Sequence, residues 1–267
     1  MANGTHPCRA DQTNKIDPFR GRGACLPVAL LILVSSFFPP SGMANDAVPD
    51  RGFRASIQPI QLVNSLKKRV GKSSQLLLVR NIDPASVEVR ITPWERKNGR
   101  WQSPFTPMDG VIGREGIAPP GEKREGDGRT PVGIFRLGMV FGYAPAFPTR
   151  MPYRQATADD VWIDDVQAAD YNRWVRRETT QAASFEKMRR DDDLYKYGIV
   201  VEYNTNPVLK GMGSAIFVHL WRGQGSSTAG CIALAEEDLV RIIKWLDPAA
   251  KPLVIIGLQE TSGGFEK

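Results

Sequence analysis

Residues 219–234 read HLWRGQGSSTAGCIAL and place His219 and Cys231 twelve positions apart. The chain's other histidine is His6, and its other cysteines, Cys8 and Cys25, lie near the start. A cysteine near neutral pH is mostly thiol, whereas the nucleophile is the thiolate. A neighbouring imidazole can take the proton and later return it to a leaving amine. Gly230 lets the backbone pass close to a substrate, and N–H groups at Gly230 and Cys231 can stabilise a tetrahedral oxyanion. The competing reading is structural: a satisfied strand histidine, and a buried thiol acting as a small apolar residue. One Cys and one His are two ligands, short of a closed zinc site, so no metal is expected.

These two residues need elements to carry them. In GSAIFVHLW (213–221), Ala215, Phe217, His219 and Trp221 share one face, and Ile216, Val218 and Leu220 the other, because side chains alternate along a strand. His219 therefore sits near the end of a core strand. The Gly/Ser-rich loop 223–227 can fold back and bring position 231, on a short strand or turn, beside it. Strand patterning recurs at 74–80, at 86–102 with a turn at Lys97-Asn98-Gly99, at 108–117, at 133–137, at 197–204 and at 252–258. Residues 236–246 predict a helix, with acids in its first turn and Leu239, Ile242, Ile243 and Leu246 on one stripe. Ile60, Val63, Leu66 and Val70 predict a shorter one. Residues 141–197 hold aromatics and charges without a period, and read as a long surface excursion, partly helical at best. Many strands, few helices and hairpin-like connections predict a mainly β domain with a minor α component: an antiparallel sandwich or open barrel.

The bulk composition narrows the classes. The chain has 267 residues, 42% hydrophobic and 24% charged, which is ordinary for a globular protein. The net charge of +6 is mild. Without a Lys/Arg run or Arg/aromatic interleaving, nucleic-acid binding has no support, although an anionic polymer or lipid surface suits the charge. The first residues are polar and weakly basic, and ACLPVALLILVSSFF (24–38) is an uncharged apolar run followed by small residues. That is the pattern of a secretory signal, with Gly42 and Ala44 at −3 and −1 of a cut before Asn45. An uncleaved anchor is the alternative, against which the run falls short of the roughly 20 residues that span a bilayer. Cys25 precedes the apolar run, which argues against a lipoprotein. A cut at Ala44 takes the charge from +6 to +4 and leaves Cys231 and His219 as the mature chain's single cysteine and single histidine. An odd cysteine in an exported protein is an intermolecular partner or a free reactive thiol.

IFVHLW followed by GSSTAGCIAL resembles the active-site segment of the YkuD-type L,D-transpeptidases: a strand histidine, a spacer, then Ser/Thr-His-Gly-Cys and an apolar residue. Thr228, Gly230, Cys231 and Ile232 match in order, and His219 matches the upstream histidine. GDGRTPVGIFRLG resembles the family's Thr-Pro-x-Gly-x-Phe strand entry through Thr130, Pro131, Gly133 and Phe135. The similarity spans about 75–258 and looks like a divergent branch. It implies the YkuD fold and a cysteine acyltransferase that acts on peptidoglycan stem peptides without a cofactor. Cys231 would attack the carbonyl of the third stem residue and expel the terminal D-alanine, and an amine would resolve the thioester. His219 would be the general base, oriented by the carbonyl of Leu220, with Gly230 beside the nucleophile. Two family side chains are missing: Ala229 stands where the family has histidine before Gly-Cys, and Ala233 where it has Arg or Asn. The His-to-Cys spacer is also short. Arg222 and Arg129 are candidates to supply the missing charge to substrate carboxylates, since a guanidinium grips a carboxylate in a fork; Thr228 joins them as a substrate-binding candidate.

The resulting expectation is a signal peptide or anchor over 1–44, a linker and short helix over 45–73, and a catalytic domain over 74–260 with 141–197 as an excursion within it. The protein would work in the periplasm or cell envelope, touching membrane only through its first segment. Transfer to an amine, hydrolysis of the same stems by an L,D-carboxypeptidase or amidase, and a wall-binding module with decayed chemistry remain three readings of one sequence.

Overall fold

The computed structural model describes residues 59–81 and 86–257, so the expected leader and the first part of the linker lie outside the described residues. The strands among them are β1 (Gln75–Asn81), β2 (Glu88–Lys97), β3 (Arg100–Gln102), β4 (Met108–Val111), β5 (Gly133–Gly142), β6 (Tyr153–Gln155), β7 (Asp160–Ile163), β8 (Trp174–Arg176), β9 (Phe185–Lys187), β10 (Tyr197–Val201), β11 (Phe217–Leu220), β12 (Ile232–Leu234) and β13 (Leu253–Ile256). The helices are α1 (Pro59–Ser65), α2 (Lys67–Val70) and α3 (Glu236–Trp245). None of them is long and apolar enough to cross a membrane.

The large sheet runs β1-β13-β5-β10-β11-β12-β4-β2-β3, with β6 added beside β5. It closes on itself, because β2 also pairs antiparallel with β1 from Gln75↔Glu95 to Asn81↔Val89. The protein is mainly β with few helices, as its sequence predicts, and the closure turns the wall into a barrel. Closing a sheet removes exposed edges with unpaired backbone groups. Most neighbours are antiparallel; β1 with β13, β5 with β6, and β11 with β12 are parallel.

Alternation along the strands splits the apolar residues between two faces. Leu77, Val79, Val218, Leu220, Val254 and Ile256 point into one core, shared by all eight barrel strands and by the stripe Leu239, Ile242, Ile243 and Leu246. Three acids in the first turn of α3 complement the positive end of its dipole. On the other face, Leu76, Leu78 and Ile255 are covered by Leu62 and Val63 of α1, Val70 of α2 and Leu66 between them. Phe141, Val200 and Phe217 also face outward, where they meet Trp162, Met188 and Tyr195.

Those last three residues come from 141–197, where the structure departs from the sequence reading. The segment contains no α-helix. It carries β6 and a three-stranded antiparallel sheet ordered β8-β7-β9, and it packs on the barrel wall. Its strands run three or four residues, and all four residues of β7 are buried. Elements that short, one of them buried on both faces, show no alternation for a pattern search to find. Asp160 at the start of β7 is 2% exposed. Its carboxylate accepts bonds from the Thr157 amide and hydroxyl, the Trp174 indole and the Arg154 guanidinium, at 2.6–2.9 Å, which offsets its burial.

Candidate active site

β11 and β12 run parallel, with Val218 opposite Ile232 and His219 opposite Ala233. Residues opposite each other point to the same side of a sheet, and so do residues two apart. Cys231, two before Ala233, therefore lies beside Phe217 on the outward face that also carries His219. It is a diagonal neighbour of the histidine across the β11–β12 pair. An antiparallel return would have given a different register, so the direction of the short return strand decides the match.

The loop between the two strands is pinned where it leads into Cys231. The Thr228 amide donates to the Ile112 carbonyl at 3.0 Å, and the Arg114 amide donates to the Thr228 carbonyl at 2.9 Å. The Thr228 hydroxyl donates to the Cys231 carbonyl at 2.7 Å and accepts the Gly230 N–H at 3.1 Å. Thr130, from the second family-like motif, accepts the Gly113 N–H at 2.9 Å and reaches the same Cys231 carbonyl at 3.5 Å. The two motifs, about a hundred residues apart, thus meet under the cysteine. Gly230 has a φ of +150°, and a Cβ there would stand 2.9 Å from the Arg129 carbonyl oxygen. No side chain fits that approach.

Cys231 is 7% exposed. Its Sγ accepts the Phe217 N–H at 3.4 Å and donates to the Ala215 carbonyl at 3.2 Å. Ala215 holds a φ of +53°, which is uncommon for a residue with a side chain. The buried side chain of Asn172 holds it there: its Oδ1 accepts the Ala215 N–H at 3.2 Å and the Trp162 indole N–H at 2.9 Å, and its Nδ2 donates to the Tyr203 and Asn204 carbonyls. Burial first, and the nearby Glu186 charge second, push the thiol up to about 12.

His219 is 6% exposed. Its Nδ1 lies 2.7 Å from the Leu220 carbonyl oxygen. A carbonyl only accepts, so Nδ1 carries the proton and Nε2 is left as the ring's base. Burial lowers the imidazole to about 4, against the opposing pull of the Leu220 carbonyl. The resting pair is a neutral thiol and a neutral imidazole.

Both residues line one pocket of about 310 Å³. Part of its wall comes from 141–197: Glu186, Arg190, Leu194 and Tyr195. The Tyr195 ring meets the His219 ring edge-on, with centroids 5.1 Å apart, and its hydroxyl donates to the Glu186 carboxyl. Burial raises both members of that pair. Arg190 lies over the Tyr195 ring and grips Asp192 through two bonds of 2.8 and 2.7 Å. Asp192, held well below the usual carboxylate range by Arg190, also accepts from Arg222 at 3.1 Å.

Of the residues expected from sequence, Cys231, His219, Thr228 and Arg222 line the pocket, as do the small residues Ala229 and Ala233. Thr228 spends its hydroxyl on the turn. Gly230 gives its N–H to Thr228, so in this state that N–H serves the turn and not an oxyanion. The Arg129 side chain does not line the pocket; its backbone carbonyl backs Gly230 instead. Arg114 takes that place, exposed at the pocket with its guanidinium against Gly128 and no ion pair among the described residues. Glu186, Tyr195, Arg190 and Arg114 were not picked out from the sequence, because they carry no spacing that marks them. No group of three or more His, Cys, Asp or Glu among the described residues could hold a metal ion.

The barrel and its outward cysteine and histidine define a class. The model of the YkuD L,D-transpeptidase catalytic domain matches residues 89–256. The chain belongs to that family, whose members are cell-wall enzymes acting on peptidoglycan. Two solved structures are similar to it. The helical cell shape determining protein Pgp2 from Campylobacter jejuni is 18% identical, with a TM-score of 0.37, over 71% of this chain and 49% of that one. Bd1075 from Bdellovibrio bacteriovorus is 12% identical, with a TM-score of 0.37, over 69% and 48% respectively. The chain thus spans about half the length of each. No curated protein matches it.

Proposed function

We propose that this chain is an exported cysteine acyltransferase, an L,D-transpeptidase that carries a peptidoglycan stem peptide as a thioester on Cys231. The observation that carries the reading is the tautomer of His219. With Nδ1–H committed to the Leu220 carbonyl, Nε2 is a base in the same pocket and on the same sheet face as the thiol. A substrate carbonyl entering the pocket meets the sulfur as the S–H turns from the Ala215 carbonyl toward the imidazole. Nε2 takes that proton as the sulfur attacks, then returns it to the departing D-alanine amine. Because the resting thiol is neutral, the nucleophile forms only as His219 takes its proton during the attack. Arg114, the pocket guanidinium without an ion pair among the described residues, takes a substrate carboxylate in place of the family side chains replaced by Ala229 and Ala233. The exported setting rests on the 1–44 pattern and on the location of the substrate.

The test is mass spectrometry of the intact protein and of its products after incubation with a defined tetrapeptide stem. An adduct on Cys231, lost in Cys231→Ala, together with cross-linked dimers, is the expected result. Tripeptide alone would make the enzyme a hydrolase. No adduct with stem or with a carbapenem would leave a wall-binding module.

A further inference from the structure

We propose that Glu186 is the base that takes the surplus proton of an incoming ammonium, so that the acyl group on Cys231 passes to an amine and not only to water. This rests on the thioester reading above and concerns its second half.

The proton count requires such a group. An alkyl amine reaches the site as an ammonium with three protons, because its pKa is near 10. When its nitrogen attacks the thioester carbonyl, the C–N bond forms and the C–S bond breaks, with the bonding pair leaving on sulfur. One proton stays on the amide nitrogen. A second passes through His219 Nε2 to the Cys231 sulfur, restoring the thiol. The third must reach another base before the nitrogen has a lone pair to attack with. Water poses no such demand: one proton returns to sulfur through His219, and the other leaves with the acid product.

Among the described residues lining the pocket, Glu186 is the one carboxyl, and it shares that pocket with Arg114, Arg190 and Arg222. An ammonium entering this cationic surround finds its counter-charge there. The carboxyl is fixed in place, since β9 pairs Glu186 with Trp162 of β7 and the Tyr195 hydroxyl donates to Oε2. Tyr195 packs against His219, and the Glu186 charge bears on the Cys231 thiol. The second base is therefore linked to the first through Tyr195, and both share the pocket with the sulfur. Segment 141–197 thereby supplies half of the acid–base chemistry as well as the wall.

Wild type and Glu186→Gln are loaded with the tetrapeptide donor and offered either Nα-acetyl-lysinamide, an ammonium at pH 7, or O-methylhydroxylamine, which is neutral there. Transfer and hydrolysis products are counted by mass spectrometry. Glutamine still accepts from Tyr195, so the pocket keeps its shape. The ratio of transfer to hydrolysis should fall about a hundredfold in the variant with the lysine derivative, and return to near the wild-type ratio with the neutral amine. Equal loss with both amines makes Glu186 a packing residue and overturns the proposal. So does an unchanged ratio, or a variant that fails to form the Cys231 adduct. Wild type that forms no adduct overturns the thioester reading itself, a separate and earlier failure.

Discussion

Acid should weaken this domain in part through a single ring. His219 is 6% exposed, and burial carries its pKa from 6.5 down to about 4. Between those values the unfolded chain binds a proton that the folded chain refuses, so stability falls as the pH falls across that window. Below about pH 4 both states are protonated and the ring adds nothing further. One pKa unit corresponds to about 1.4 kcal/mol, which makes the whole window worth about 3 kcal/mol and the step from pH 7 to 4.5 roughly 2.5 kcal/mol. Urea unfolding of wild type and His219→Gln at both pH values isolates this contribution. Glutamine can still donate to the Leu220 carbonyl but does not titrate. Asp127, Asp160 and Asp192, all with lowered pKa values, also destabilise the fold in acid, but they do so in both proteins. Wild type should lose about 2.5 kcal/mol more than the variant over this step. Equal losses would show that the folded protein admits a charged imidazole, and the case for a neutral base held ready in the pocket would fail.

Other consequences concern the walls of the same site. With its thiol raised to about 12, unliganded Cys231 should react with iodoacetamide at pH 7 at least about tenfold slower than free cysteine. Its rate should climb with pH up to 10; fast alkylation that is flat below pH 8 would contradict a neutral resting thiol. Gly230→Ala puts a Cβ 2.9 Å from the Arg129 carbonyl at a φ of +150°, and should lower stability by about 1–3 kcal/mol, read by chemical denaturation. Asn172→Ala removes the acceptor of the Ala215 and Trp162 N–H groups. It should cost about 2–4 kcal/mol and slow Cys231 acylation, because the Ala215 carbonyl loses its placement.

What the sequence determined by itself is local. Alternation along 213–221 put His219 and Phe217 on one face, and the stripe in 236–246 gave α3 its buried side, because both periods follow from backbone geometry within a few residues. The pairing of one histidine with one cysteine, and the glycine before that cysteine, were equally readable, since their residue types and order carry the chemistry. The tertiary structure alone decided the rest. The closing of the sheet through β1 and β2, and the parallel register that sets Cys231 beside Phe217, arise from hydrogen bonds between distant strands. So does the conversion of 141–197 into a wall of the pocket. Glu186 and Tyr195 have no mark in their own stretch of chain, since the desolvation that raises both comes from a barrel wall built from residues far away in sequence. Burial, too, widens the range over which the central pair is neutral: in a short peptide the thiol and imidazole would titrate near their ordinary values, and here they are moved to about 12 and about 4.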